Sequence, residues 1–484
     1  MLPRDDAAKY MIEFGSIIGG RQVASGQWIE VRNPFTGEIV GRVSEESAET
    51  TRNVLSRTRA ARVTLTRHER AVFLERMAEA LREERDRISR MITDESGLCL
   101  KDTLHEVSRA ADVFHFAAIR SLSDDSHVFP CDVTAAGAGR RIYTMQQPLH
   151  LVAAITPFNH PLNQVAHKVA PSIATNNTMV LKPSPQTPLS AFYIADLAIR
   201  CGLPPDALNV VCGSTSNVGY TIVKSEEVEF ISFTGSSETG RHILRQAGYK
   251  RLLLELGGSS AMLVLEDAEI EKAVELAVAG VFSNSGQRCT AIRRLVVHDS
   301  LADAFARRLA ERASTLRFGD PYDPKMDMGT VISEEAAQRI EARVEASRLQ
   351  GAKVLVGHRR DGALYAPTVL TDVSNEHPVV AGETFGPVAC VLRFSDLDDA
   401  LRIANDTPYG LSGAVVSNHW PSIQRVISEL ETGTVNVNEI PGFRLEWSPF
   451  GGIKASGLGD KEGVIAAMHS MTYTKTYSLP WDQA

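Results

Sequence analysis

The sequence predicts an α/β protein built on two parallel-sheet units. From residue 151 to 256 short β-rich runs alternate with helical patterns, from 257 to 436 a second such series follows, and the glycine-rich turn LELGGSS at 254–260 separates them. Strands joined through helical segments of this length pair in parallel, with the crossovers covering both sheet faces and binding crevices opening at the strand carboxyl ends. The length of 484 residues suits two or three domains rather than one, and the 43% apolar, 23% charged composition is that of an ordinary globular chain.

The first series reads LVAAIT, TMVLKPS, the helical PLSAFYIADLAIRCG, ALNVVCG, EFISFTG and RLLLELGG. Upstream, RHERAVFLERMAEALREERDRI and HEVSRAADVFHFAAIRSL place apolar residues at i, i+3, i+4 and i+7, so helices packed on the sheet are expected. GRRIYTMQQPLHL alternates and is rich in β-branched and aromatic residues; it reads as a protruding hairpin and an oligomer contact, with MTYTKTYSLPW as a strand that pairs with it, on this or another subunit. In the second series AEIEKAVELAVAGVF is a helix, RRLVVH a strand and LADAFARRLAERASTL a helix, which makes LELGGSS the expected interdomain hinge.

Composition excludes several classes of function. A formal charge of −8 argues against nucleic acid, which needs a basic face to displace counterions. Apolar runs fall short of the ~18 residues of a membrane-spanning helix, and the start, MLPRDDAAKYMIEFG, lacks the apolar stretch of a secretion signal. A cytoplasmic protein with no membrane partner is expected. Cys99, Cys131, Cys201, Cys212, Cys289 and Cys390 are scattered, without a CxxC pair or a His at ligand spacing, so neither disulfides nor a metal are expected.

Four segments carry chemistry. FSNSGQRCT ends a helical run in polar and glycine residues, which puts the Cys289 thiol on a loop beside the positive charge of Arg288. A thiolate attacks carbonyl carbon well, provided its site is partly exposed and electropositive. In ITPFNHP, Asn159 follows a strand between Pro157 and Pro161, a stiff setting for an amide that donates to an oxyanion; the plainer role is a turn cap. Glu255 ends the apolar strand LLLELGG, where desolvation raises a carboxyl's pKa and suits it to act as a base on water; otherwise it is a strand-end carboxylate facing solvent. FTGSSETG, from Phe233 to Gly240, runs from strand through a glycine-bracketed turn into a helix whose first N–H groups can hold a pyrophosphate, and Lys182 in VLKPS can reach a ribose hydroxyl.

Together TPFNHP, LKPS, FTGSSETG, LELGG, FSNSGQRC, ETFGPV at 383–388 and SPFGGIKASGLGDKEG at 448–463 resemble, in order, the aldehyde dehydrogenase superfamily. The resemblance covers nearly the whole chain. It implies a Rossmann-type cofactor domain (1–131, 150–256 and 437–466), a second α/β catalytic domain (257–436) and a β-hairpin flap (132–149 and 467–484) that makes dimers or tetramers. By motif, Cys289 looks like the nucleophile, Asn159 the oxyanion donor and Glu255 the base for thioester hydrolysis, which favours a hydrolytic enzyme over one that passes the acyl group to coenzyme A. Glu383 and Phe385 look like contacts of the nicotinamide ribose and ring, and Thr156, Pro157, Phe158, Lys182, Ser184, Phe233, Thr234, Gly235, Ser236, Leu256 and Gly257 like the rest of the cofactor site. Pro185 stands where many members have a glutamate that accepts both ribose hydroxyls and repels a 2'-phosphate, which leaves the coenzyme choice open; the likeness to the subfamily named below favours NAD, with NADP possible.

For the substrate, Arg288, His160, Arg109 and Arg444 are expected to form a cationic pocket for a small anionic aldehyde, although Arg109 and Arg444 also read as structural ion pairs. TPFNHPLNQVAHKVAP, AGYKRLLLELGG, SGQRCTAIRR and RLEWSPFGGIKASGLGDKEG are similar to phosphonoacetaldehyde dehydrogenases, which make phosphonoacetate. The alternatives are glyceraldehyde 3-phosphate, lactaldehyde, a semialdehyde or an aromatic aldehyde. A non-catalytic binding or structural protein of this fold does not fit an intact set of Cys289, Asn159 and Glu255.

Overall fold

The computed structural model describes residues 11–481; residues 1–10, within the start read for a secretion signal, and the last three residues of the expected flap lie outside them. Two seven-stranded sheets organise the chain. The first runs, edge to edge, Arg251–Glu255, Phe230–Thr234, Leu151–Ile155, Thr178–Lys182, Leu208–Val210, Ser16–Ile18 and Arg21–Val23. Its first five strands are parallel, as the alternation predicts, and the two N-terminal strands extend it antiparallel. Chain order reverses between Leu151–Ile155 and Phe230–Thr234, so the loops after these neighbours, ITPFNHP and TGSSETG, diverge around a crevice at their carboxyl ends. Such a switch point is where open α/β sheets bind dinucleotides.

The helices Arg67–Glu83, Arg85–Ser96 and Leu100–Ser121, expected on the sheet itself, form an outer layer: they pack on helices Asn163–Ala174 and Leu189–Arg200, which lie against the sheet, through an apolar cluster that includes Phe73, Met77, Phe114, Val165 and Phe192. The first begins with a capping box in which Thr66 and Glu69 satisfy each other's backbone N–H. The second sheet orders Lys353–Val356, Thr368–Thr371, Val388–Phe394, Ile292–His298, Ser260–Val264, Ser412–Val416 and Thr434–Val437, parallel except at the Lys353–Val356 edge. Helices Ile270–Phe282 and Asp299–Ser314 cover one face.

The segment expected as a self-contained hairpin is a single nine-residue strand, Arg140–Pro148. Its hairpin partner lies upstream at Val128–Pro130, and Thr472–Pro480 of the same chain pairs along its whole length. The register places Tyr143 opposite Tyr477, whose rings stack at 5.4 Å, and Arg141 sits over Trp481. Among the described residues no helix is long and apolar enough to cross a membrane, and no cluster of His, Cys, Asp or Glu could hold a metal ion.

Candidate active site

The Cys289 turn is unusual in its backbone. After helix Ile270–Phe282, Asn284 (φ 58°), Ser285 (φ 53°) and Gly286 (φ 70°) are successively left-handed. For residues with a Cβ this costs about 1–2 kcal/mol each, so the surroundings must hold the turn in place. Asn159 donates from Nδ2 to the Gln287 carbonyl at 2.8 Å, Asn284 donates back to the Asn159 carbonyl at 3.1 Å, and Gln287 Oε1 accepts from the Ile332 N–H at 2.9 Å. The two loops singled out in the sequence are thus interlocked. One N–H of the Asn159 amide is used in this way.

Cys289 is half-buried. Its thiol is pushed up to about 11, first by burial and then by the carboxyls of Glu255 and Glu383, against the pull of Arg444 and Arg288. The LELGG strand end closes on it from behind: a Cβ at Gly258 would lie 2.4 Å from the Cys289 carbonyl oxygen, so only glycine lets the two backbones approach. Glu255 is 4% exposed and neither carboxyl oxygen has a hydrogen-bond partner, which discards the solvent-facing reading. Burial, together with the charge of Glu462, holds it well above the usual carboxylate range. Glu462 is the opposite case: despite burial, its ion pair with Lys168 holds it below that range. Alkylation of Cys289 by iodoacetamide is therefore expected to accelerate steadily from about pH 7 to about pH 10; a plateau reached below about pH 9 would show that the thiol ionises more easily than this environment allows.

The residues expected around a coenzyme fit one. Glu383 accepts from the Gly258 N–H at 3.1 Å, and burial raises its pKa against the nearby Arg293 charge. Phe385 meets Phe158 edge to face at 5.8 Å, and both line a cavity of about 100 Å³ with Gln287, Glu383, Arg339 and Arg343. At the switch point, the Thr156 hydroxyl is buried without a partner, an acceptor and donor held in reserve beside Pro157. Lys182 is 6% exposed, its ammonium meeting the Pro183 carbonyl at 3.3 Å, and Ser184 and Pro185 lie beyond it towards the surface. Ser236 caps helix Ser237–Gln246, and the Gly235 N–H donates to the Glu255 carbonyl, so the helix start faces the crevice. Phe233, Leu256 and Gly257 pack beneath, with Ser456 bonding the last two. The Thr234 hydroxyl is taken by Lys168 at 2.8 Å.

A model of the "Aldehyde dehydrogenase family" matches residues 21–477. The chain belongs to the aldehyde dehydrogenase family. It is 36% identical to aspartate-semialdehyde dehydrogenase 1 of Pseudomonas canavaninivorans, over 93% of this chain and 96% of that one. It is 32% identical to the 3-sulfolactaldehyde dehydrogenase of Priestia megaterium, over 95% and 96%. The crystal structure of aldehyde dehydrogenase 21 from Physcomitrella patens, in complex with the reaction product succinate, superposes with a TM-score of 0.94 at 30% identity, covering 97% of this chain and 99% of that one. This aldehyde dehydrogenase is an NAD(P)-dependent enzyme that oxidises small aldehydes.

The cations expected at the substrate end divide into two kinds. Arg109 is ion-paired with Glu446, which also holds His167, so its charge is answered within the aldehyde dehydrogenase itself. His167 first, and then Arg109, hold Glu446 well below the carboxylate range in spite of burial. Arg288 and Arg444, by contrast, have no carboxylate within ion-pair distance among the described residues. Arg444 lies over the Phe450 ring at 4.2 Å with Nη1 buried and unpartnered, and Arg288 is drawn below its ordinary pKa by burial and by the neighbouring Arg109 charge. His160 stands 3.6 Å from Glu106, whose other oxygen caps the N–H groups of Leu162 and Asn163. Sequence reasoning missed Lys168, Glu462 and Glu446. The available signal was a lysine inside QVAHKVAPSIA, a helix buried at every position, where an ammonium requires a carboxylate partner.

Proposed function

We propose that the enzyme oxidises a small anionic aldehyde to its acid through a covalent thioester on Cys289. The Cys289 thiol gives up its proton to solvent, its sulfur adds to the aldehyde carbon, and the oxygen, now negative, takes the free N–H of Asn159. A nicotinamide held beside Glu383 and Phe385 would supply the acceptor for the hydride lost as the oxyanion collapses to a thioester. Glu255 then takes a proton from water, whose oxygen attacks the thioester carbon, and the acid departs as sulfur is released. The observation that carries this reading is the electrostatic convergence of Glu255, Glu383, Arg288 and Arg444 on one half-buried thiol, with Asn159 locked to the adjoining residue.

The anionic preference rests on Arg288 and Arg444. Two guanidinium groups near the thiol, unpaired while Arg109 presses its own charge on Arg288, gain from an incoming anion. By their names, the relatives reported above act on carboxylated and sulfonated aldehydes, and the plant structure holds a dicarboxylate. Phosphonoacetaldehyde is the substrate we favour on the likeness of the four segments named earlier, with semialdehydes of carboxylic acids as the second reading from these relatives. The strand Thr472–Pro480, paired to Arg140–Pro148 and exposed at every residue after its first, supports a homodimer or homotetramer.

The test follows reduced-nicotinamide absorbance with NAD and with NADP over phosphonoacetaldehyde, succinic and aspartic semialdehydes, sulfolactaldehyde and lactaldehyde. Arg288→Ala and Arg444→Ala are each expected to raise KM for the anionic members about 10- to 100-fold, the worth of a charged hydrogen bond, and to leave lactaldehyde nearly unaffected. Equal effects on charged and neutral aldehydes would remove both arginines from substrate recognition.

A further inference from the structure

One buried cation has no part in the chemistry above. Arg293, in strand Ile292–His298, is among the largest fully buried side chains of the protein. Its Nη2 donates to the Gly286 carbonyl at 2.6 Å and the Arg288 carbonyl at 3.3 Å, and its Nη1 donates to the Gly386 carbonyl at 2.7 Å. The guanidinium carbon stands 5.9 Å from the centre of the Phe385 ring. Among the described residues no carboxylate is within ion-pair distance of it. Burying an unpaired charge is expensive, and an apolar side chain would fill the same volume at lower cost. The return is geometric, since one rigid fork of donors is matched to three carbonyls.

Those carbonyls come from two segments distant in sequence. Gly286 and Arg288 belong to the left-handed turn that presents Cys289, and Gly386 to the segment that carries Glu383 and Phe385. The two backbones touch: a Cβ at Gly286 would lie 2.2 Å from the Gly386 carbonyl oxygen. Asn159, Asn284 and Gln287 brace the strained turn from the switch-point side, while Arg293 braces it from the Glu383 side.

We propose that Arg293 is a positioning residue that locks the nucleophile turn to the Glu383–Phe385 segment, so that occupancy of the coenzyme site is transmitted to the Cys289 sulfur. It donates to the two segments through their backbone carbonyls, with its charge near Glu383 and its guanidinium near the Phe385 ring. The inference rests on the reading of Cys289 as nucleophile and of Glu383 and Phe385 as coenzyme contacts.

The experiment measures iodoacetamide alkylation of Cys289 with and without saturating NAD or NADP, alongside steady-state kinetics, in native enzyme, Arg293→Met and Arg293→Lys. Coenzyme is expected to change the alkylation rate severalfold in native enzyme. In Arg293→Met that response disappears although coenzyme still binds, and kcat falls about 10- to 100-fold, the cost of a misplaced reacting group, with little change in the aldehyde KM. Arg293→Lys, which keeps the charge and one line of donors, restores part of both. A purely structural role would lower thermal stability without uncoupling coenzyme from alkylation. The proposal is overturned if coenzyme leaves alkylation of native enzyme unchanged, a measurement that needs no variant, or if either soluble variant keeps the native response and kcat. Turnover by Cys289→Ala would instead overturn the underlying reading of the nucleophile.

Discussion

Cys289→Ala is expected to abolish turnover, lowering kcat by at least ~10⁴-fold, as loss of the nucleophile does in enzymes that work through covalent intermediates. The sulfur is the atom to which the aldehyde carbon bonds, and nothing else in the site can replace it. The remaining cysteines near the catalytic unit are poor substitutes. Cys390 lies in the core strand Val388–Phe394 with its thiol pushed up to about 12 by burial, and Cys99 is likewise held at about 12. Coenzyme binding should survive in Cys289→Ala, because the switch-point crevice and Glu383 do not depend on the thiol. Coenzyme affinity measured by fluorescence, beside absorbance at the reduced-nicotinamide band, separates loss of chemistry from loss of fold. Residual turnover above about 1% of native would assign the covalent step elsewhere.

Glu255→Gln should divide the reaction in two. The carboxyl makes no hydrogen bond in the fold, and burial first and then the charge of Glu462 oppose its ionisation, so an amide of the same shape fits with little strain. Acylation of Cys289 does not require this base, whereas hydrolysis does. Rapid mixing is expected to give a burst of reduced coenzyme equal to the number of sites, followed by a steady state slowed about 10²- to 10⁴-fold, the usual contribution of general-base catalysis. The pH dependence follows from the direction of the shift. A raised carboxyl pKa means the base stays protonated and inactive until the pH climbs past it, so native turnover should increase with pH above the ordinary glutamate range. Glu255→Gln should lose that limb. A variant that slows the burst and the steady state equally would contradict a role confined to hydrolysis.

The parts of the molecule legible in the sequence were those whose signal is local. The strands ending in Ile155, Lys182, Thr234 and Glu255 and the loops after them follow from apolar runs punctuated by glycine and proline, and the structure gathers these ends around one crevice. The helices on either side follow from their periodicity. What the sequence hid were partnerships across long separations. Arg109 looked available for a substrate, but its partner Glu446 lies 337 residues away. Lys168 and Glu462, whose charges act on the buried Glu255, are 294 residues apart. The pairing of Arg140–Pro148 with Thr472–Pro480 is expected from the alternation of MTYTKTYSLPW, but the segment read as a hairpin is one strand, and that its partner comes from the same chain shows only in the fold. The left-handed backbone at Asn284 and Ser285 has no residue signature beyond the tolerance of asparagine for that region, and it makes sense only once Asn159 and Arg293 are seen to hold it.

Peptide mapping by mass spectrometry after quenching Glu255→Gln with aldehyde and coenzyme in acid bears on the covalent step most directly. The acyl group, with the mass of the aldehyde less one hydride, is expected on the peptide containing Cys289 in near one-to-one yield. An unmodified Cys289 peptide during the burst, or the same mass on a peptide carrying another cysteine, would contradict it.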